Sequence, residues 1–138
     1  MSYQTMTLFH GTNNEFDEFD EKYINSRNDT ASNSALGFWF FTQEKYAKNA
    51  GKIVLTVEAN IRNPFKMDID KLVKLNRVYN SCPDEWIKIR KDLVGNGFDA
   101  IELVEIDGRS FIYVVLKPEL LKILSKKYSI EENQPNMT

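Results

Sequence analysis

Apolar and polar positions alternate with a period of two over several short stretches of the chain. This period is typical of β-strands that have one buried face. A short helix after the second stretch is predicted to be capped by Thr42 and ended by Gly51. The predicted strands are Met6–Phe9, Leu36–Phe41, Lys52–Ala59, Ala100–Ile106 and Arg109–Leu116, and the short helix covers Gln43–Ala50.

Two longer helices are predicted after a break at Asn63-Pro64. The first has Asp68 as its expected cap, and the second begins near Pro83 and ends at Gly95 or Gly97. Because the strands precede and follow these helices instead of alternating with them, the predicted fold class is α+β with a mixed, mainly antiparallel sheet.

Asp107-Gly108 joins the last two predicted strands and has the chemistry of a two-residue type I′ turn. That register places Glu105 opposite Ser110. Alternation then puts this carboxylate on an apolar face, where it needs a partner or a function. A solvated position near the hairpin tip is the alternative. The other members of that face are Ile101, Leu103, Ile112 and Val114.

The length and pattern predict one domain over residues 1–128, followed by a disordered tail over residues 129–138. Residues Asn25–Ser34 form a polar stretch. It either closes over a ligand or remains a surface loop.

Charge and cysteine content exclude several classes of function. Eighteen basic and twenty acidic residues give a net charge of −2, which disfavours a nucleic-acid partner. A single cysteine cannot form an internal disulfide, and one cysteine with one histidine offers too few nitrogen and sulfur ligands for a zinc site. No signal peptide or membrane-spanning run is visible, so we expect a cytoplasmic protein.

The single histidine, His10, stands at the end of an apolar run and directly before Gly11 and Thr12. A lone histidine is often structural, but glycine permits close approach to the backbone at this point. The stretch Gly37–Thr42 carries four large rings, which form either an ordinary central strand or the wall of a cleft for a flat cationic ligand. Tyr46 follows one helical turn later.

These segments resemble the ADP-ribosyltransferase fold. The branch concerned includes diphtheria toxin, the poly(ADP-ribose) polymerases and small bacterial and phage transferases. The resemblance spans Leu8 to Leu124, and its motifs are weak singly but specific in their order. They are His10-Gly11-Thr12, Phe40-Phe41-Thr42, Asn63-Pro64, Gly97–Ile101 and Tyr113–Leu121.

The resemblance implies sheets around a cleft for NAD, with two inserted helices and no metal. His10 would contact a ribose hydroxyl, and the backbone of Gly11, next to Thr12, would bind the nicotinamide amide. The nicotinamide ring would pack on some of four aromatic side chains, which are Trp39, Phe40, Phe41 and Tyr46.

The chain departs from the family at the acid. Much of the family has glutamate directly before the Tyr-Val-Val run, where this chain has Ile112. In certain small phage members, including an anti-CRISPR transferase, the acid lies on the preceding strand instead. Glu105 matches that placement best, and Glu102 and Asp107 are the alternatives.

The implied activity is NAD-dependent mono-ADP-ribosylation of a macromolecular acceptor, most readily a protein, by a phage or bacterial effector, anti-defence factor or toxin. An NAD glycohydrolase would use the same residues. The third hypothesis is an inactive member that binds NAD or a partner protein, which Ile112 favours.

Overall fold

The computed structural model describes residues 4–20 and 32–128. Seven strands and three helices make up the fold of these residues. Short 3-10 segments, Ser32–Leu36 and Pro118–Leu120, precede β2 and β7. The strands are β1 (Gln4–Thr12), β2 (Phe38–Phe41), β3 (Ile53–Ile61), β4 (Pro64–Asp68), β5 (Ala100–Val104), β6 (Ser110–Val115) and β7 (Leu121–Tyr128), and the helices are α1 (Glu44–Ala47), α2 (Ile69–Val78) and α3 (Pro83–Gly95).

The strands form one sheet in the order β4-β5-β6-β2-β1-β3-β7. Neighbouring strands are antiparallel, apart from β4 and β5, which are parallel and connected through α2 and α3. The predicted α+β class, the mixed and mainly antiparallel sheet and the two inserted helices are therefore confirmed. Strand β4 was not predicted, because this five-residue strand begins with Pro64, a residue that usually marks a strand end or edge.

The two faces of the sheet carry separate apolar cores, as alternation in the strands requires. One core contains Leu8, Phe40, Leu55 and Tyr113, together with Phe19 from the segment after β1. The other core packs the opposite face of β5 and β6 against α2 and α3, mainly through Leu72 and Trp86. We call these the loop-side face and the helix-side face.

Two predicted boundaries near the N-terminal motif are wrong. β1 pairs with β3 up to the pair Thr12–Ile53, so His10 lies inside a strand and not at its end. The helix after β2 is a single turn, Glu44–Ala47, with Gln43 at its N-cap. Thr42 cannot take the predicted cap position because its N–H still donates to the Phe111 carbonyl at 2.9 Å, which extends the β2–β6 pairing.

The Asn63-Pro64 break and the Gly97–Ile101 stretch meet in the fold. The buried Asp99 carboxylate accepts hydrogen bonds from the backbone N–H groups of Arg62 (2.9 Å) and Asn63 (3.1 Å). Gly97 has a φ of +92°, which suits glycine at the exit of α3. Asp99 therefore fixes the turn that leads from β3 into β4.

The predicted tail (129–138) and most of the polar stretch Asn25–Ser34 lie outside the described residues. Among the described residues, no helix is long and apolar enough to cross a membrane.

Candidate functional site

The sheet opens beside the His-Gly-Thr motif. β1 pairs with β3 along its whole length. By contrast, β1 and β2 meet at a single pair, Phe9 with Phe41, within the part of the chain that the structure describes. The motif begins one residue after this pair, so His10 and Gly11 stand where β1 and β2 part.

His10 is held in one tautomer at this opening. Its Nδ1 lies 2.7 Å from the Trp39 carbonyl oxygen, and because a carbonyl oxygen only accepts, Nδ1 carries the proton. Burial lowers the pKa of His10, and the Trp39 hydrogen bond opposes this effect without overcoming it. The imidazole is therefore neutral at pH 7, with Nε2 as an acceptor for a hydroxyl donor.

Aromatic rings surround the imidazole on the loop-side face. The centroids of Phe19 and Phe40 each lie 5.2 Å from the His10 centroid, and that of Phe16 lies 6.3 Å away. Phe40 is fully buried beneath His10, so it supports the imidazole and offers no free ring face to a ligand.

Gly11 lets α1 lie directly on β1. A Cβ atom at this position would stand 2.1 Å from the Ala47 carbonyl oxygen of α1. The next residue, Thr12, is buried and its hydroxyl is used locally, since it accepts from the Asn14 N–H at 3.0 Å. The motif therefore anchors α1 and the segment that follows β1.

The predicted aromatic residues do not form one group. Trp39 packs on the helix-side core, away from Phe40. Phe41 and Tyr46 do come together, with centroids 6.2 Å apart, and Phe111 joins them at 6.1 Å from Tyr46. We call Phe41, Tyr46 and Phe111 the aromatic trio. Phe111 was not predicted as a member of this group, because its position in the sequence indicates only a hairpin strand.

The hairpin turn differs from the predicted turn. The Glu105 N–H donates to the Arg109 carbonyl at 2.7 Å, and the Gly108 N–H donates to the Glu105 carbonyl at 2.9 Å. Gly108 has a φ of +89°. Three residues therefore form the loop, in the pattern of a type I turn followed by a left-handed glycine. The two-residue turn and the opposition of Glu105 to Ser110 were wrong.

An irregularity in β6 explains the new register. Leu103 pairs with Ile112 as predicted, but Val104 pairs with Ser110, which leaves Phe111 as an extra residue. This bulge shifts the pairing of all residues closer to the turn. It also places Phe111 where its ring contacts α1.

The three candidate acids on the hairpin have different surroundings. Asp107 accepts from the backbone N–H and the Nε of Arg109, at 3.0 and 2.7 Å. Glu102 accepts from the Ser110 hydroxyl at 2.6 Å and lies within hydrogen-bonding reach of the Tyr113 hydroxyl. Burial and the Glu102 carboxylate raise the pKa of Tyr113 to about 12. Both of these carboxylates are engaged within the fold.

Glu105 differs from the other two acids. It is half-buried, and no hydrogen bond or ion pair engages its carboxylate among residues 4–20 and 32–128. Its backbone, by contrast, is fixed at both N–H and C=O by the turn. An anchored backbone with a free carboxylate is suited to a ligand that arrives from outside.

Alternation also separates Glu105 from Glu102. Leu103 packs on the helix-side face opposite Ile112, and Ile112 is itself paired with Phe41 of the aromatic trio. Glu105 follows Leu103 by two residues and so takes the same face. Glu102 takes the loop-side face with Tyr113. The free carboxylate therefore lies on the sheet face that also carries Ile112, the family's acid position.

No group of three or more histidine, cysteine, aspartate or glutamate side chains is placed to hold a metal ion within the described residues. Two lysines of β7 form ion pairs with the segments around the motif. Lys127 contacts Glu44 of α1 at 3.2 Å. Lys126 contacts Glu15 and Asp17, in the segment after β1, at 3.4 and 2.7 Å.

Comparison with known proteins gave one structural and one family match. A chain from a structure titled "Crystal structure of an anti-CRISPR protein" aligns with 15% identity and a TM-score of 0.49, covering 87% of this chain and 96% of that chain. No curated protein matched significantly. The sequence model of the family described as ADP-ribosyltransferase in polyvalent proteins matches residues 4–131. The chain therefore belongs to this ADP-ribosyltransferase family.

Proposed function

We propose that the protein is an NAD-dependent mono-ADP-ribosyltransferase that modifies a macromolecular acceptor, and that this acceptor is a protein. Family membership supports the general kind of activity. The single observation that carries the proposal further is the free Glu105 carboxylate, which lies on the same sheet face as Ile112 and Phe41.

NAD is the substrate in this proposal, and the residues at the opening have the chemistry to bind it. Neutral His10 offers Nε2 to a ribose hydroxyl, while its Nδ1 stays bound to Trp39. The nicotinamide of NAD is a flat cationic ring, which packs well on aromatic faces such as those of Phe41 and Tyr46. The backbone of Gly11 lies against Ala47 of α1, the residue that follows Tyr46, and would bind the amide group.

Glu105 would act on the bond between nicotinamide and ribose. Cleavage of this bond develops positive charge on the sugar, and a fixed carboxylate stabilises that charge. A carboxylate can also accept from a ribose hydroxyl and so hold the sugar in place for the acceptor. Glu102 and Asp107 are less suited, because each already accepts hydrogen bonds from the hairpin.

The decisive experiment incubates the protein with labelled NAD and lysates from several bacterial hosts. Free nicotinamide and labelled protein bands are measured for the wild type, His10→Ala and Glu105→Gln. Glu119→Gln is a matched control, since it neutralises an exposed carboxylate on the 3-10 segment before β7.

A labelled band that is lost in both site variants and kept in the control would support the proposal. Nicotinamide release without any labelled band would favour a glycohydrolase. Absence of both products in the wild type would favour an inactive member, in line with isoleucine at position 112. The effector or anti-defence role follows from the acceptor, which the labelled band would identify.

A further inference from the structure

The segment Asn13–Asp20 covers the imidazole of His10, and we call it the phenylalanine loop. Phe19 is buried and contacts His10, Phe38 and Phe40 with its ring, while Phe16 contacts both His10 and Phe19. The burial that lowers the pKa of His10 therefore comes in large part from this loop.

Lys126 connects the phenylalanine loop to the edge strand β7. In the register of the sheet, Lys126 pairs with Leu55 and Leu55 pairs with His10, so the three residues lie in one row. The ammonium group reaches the loop and contacts Asp17 Oδ1 at 2.7 Å and Glu15 Oε2 at 3.4 Å. The Lys126 side chain is only 20% exposed, whereas that of Asp17 is 97% exposed.

We propose that Lys126 is a positioning residue for His10: by binding Glu15 and Asp17, it holds the phenylalanine loop closed over the imidazole. The catalytic consequence rests on the proposed function. The effect on the pKa of His10 does not rest on the proposed function, because it depends only on how well the phenylalanine loop shields the imidazole from water.

The pKa shifts of the charged groups agree with ion pairs between Lys126 and the phenylalanine loop. The hydrogen bond to Asp17 is the largest cause that raises the pKa of Lys126, and the same lysine lowers the pKa of Asp17. The Tyr128 hydroxyl and Lys126 together lower the pKa of Glu15. All three charges are therefore present at neutral pH. Exposed ion pairs are weak and sensitive to salt, so the loop is held loosely enough to open for a substrate.

The test uses the fact that His10 is the only histidine in the chain. The Cε1–H group of its imidazole gives one signal in a carbon–proton NMR spectrum of uniformly ¹³C-labelled protein, and a pH titration of that signal reports the pKa of His10. The key variant is Glu15→Gln/Asp17→Asn, which removes both acceptors of Lys126.

The sign of the shift separates two explanations. If the loop stays closed, removing two negative charges disfavours the imidazolium and lowers the pKa of His10. If the loop opens, water reaches the ring, and the pKa rises by about half a unit or more towards its ordinary value. We expect the rise. A fall, or no change, would overturn the proposal.

Glu18→Gln is the matched control, since it neutralises an exposed carboxylate in the same loop. It should leave the pKa of His10 unchanged or slightly lower. In the wild type, 1 M salt should raise the pKa of His10, and in the double variant salt should have no further effect. An equal response to salt in both proteins would contradict the role of Lys126.

Substitutions of Lys126 extend the test to catalysis. Lys126→Met should raise KM for NAD several-fold with a smaller change in kcat, and Lys126→Arg should restore both KM and the pKa of His10. If the double variant shows no rise in the pKa of His10 while the wild type turns over NAD, the role of Lys126 is refuted and the proposed function is not. If the pKa of His10 rises in the double variant but the wild type never turns over NAD, the proposed function is refuted and the role of Lys126 is not.

Discussion

Gly11→Ala tests whether the close contact between β1 and α1 positions the site. The added methyl group would lie 2.1 Å from the Ala47 carbonyl oxygen and 2.8 Å from the Ala50 Cβ. Real Cβ atoms do not come within 3.0 Å of such neighbours, so α1 must move away by about 0.9 Å. Because Ala47 contributes a backbone atom, no change of rotamer can relieve the clash.

The expected cost follows from this geometry. Overpacking that forces a backbone shift costs about 1–3 kcal/mol. For a domain of this size, that lowers Tm by roughly 3–6 °C for each kcal/mol. Movement of α1 also carries Tyr46 away from Phe41 and Phe111, so we expect nicotinamide release to fall at least about 10-fold, as misplacement of this size commonly does.

Thermal and urea unfolding of the variant would measure the first effect, and NAD turnover at a temperature well below Tm the second. Gly95→Ala is the control, because nothing lies within 4 Å of a Cβ there. It should leave turnover unchanged and raise stability by up to about 1 kcal/mol, since alanine is preferred in helices. Wild-type stability and turnover in Gly11→Ala would refute the argument.

Three further predictions concern individual side chains. Glu105→Gln should reduce kcat about 100-fold or more with little change in Tm, whereas Glu102→Gln should keep most activity; equal losses in the two variants would contradict the choice of Glu105. Folding lowers the pKa of His10, so as the pH falls below about 6.5 the imidazole of the unfolded chain is protonated before that of the folded protein. The free energy of unfolding should therefore drop by up to about 1.4 kcal/mol per pH unit, until the pH reaches the pKa of His10 in the folded protein. Urea unfolding at pH 7 and pH 5 would show this drop, and His10→Asn should remove it; a wild type equally stable at both values would contradict it. Asp99→Ala should lower stability by about 2–4 kcal/mol, because it leaves the backbone N–H groups of Arg62 and Asn63 without their acceptor, and a loss below 0.5 kcal/mol in a urea titration would argue against that role.

The sequence predicted the fold class because strand alternation and helical periodicity are local signals. The pattern of β2 and β5 identified their buried faces correctly, and Leu103 does lie opposite Ile112. β4 was missed because a short strand that begins with proline has no local signature. Its pairing with β5 depends on α2 and α3, which separate the two strands in sequence.

The candidate site was predicted only in part. The motif around His10 and the hairpin acids could be named from the sequence, but the bulge at Phe111 could not, because the turn residues alone also suit a shorter loop. The distinction between Glu105 and Glu102 depends on that tertiary detail. The ion pairs of Lys126 with Glu15 and Asp17 could not be predicted either, since more than 100 positions separate the lysine from these residues.

The register shift in β7 has a consequence for insertions and deletions in this edge strand. β3 pairs Val57 with Ile123 but Thr56 with Ser125, so Leu124 is an extra residue at this point. Before it, Ile123 faces the loop-side core; after it, the alternation is inverted and Lys126 takes that face. Deletion of Leu124 alone would remove this irregularity and leave Ser125 opposite Thr56 and Lys126 opposite Leu55, so both lysines would keep their faces. The strand can therefore lose one exposed residue at this point, while Lys126 still reaches the phenylalanine loop and Lys127 still reaches α1.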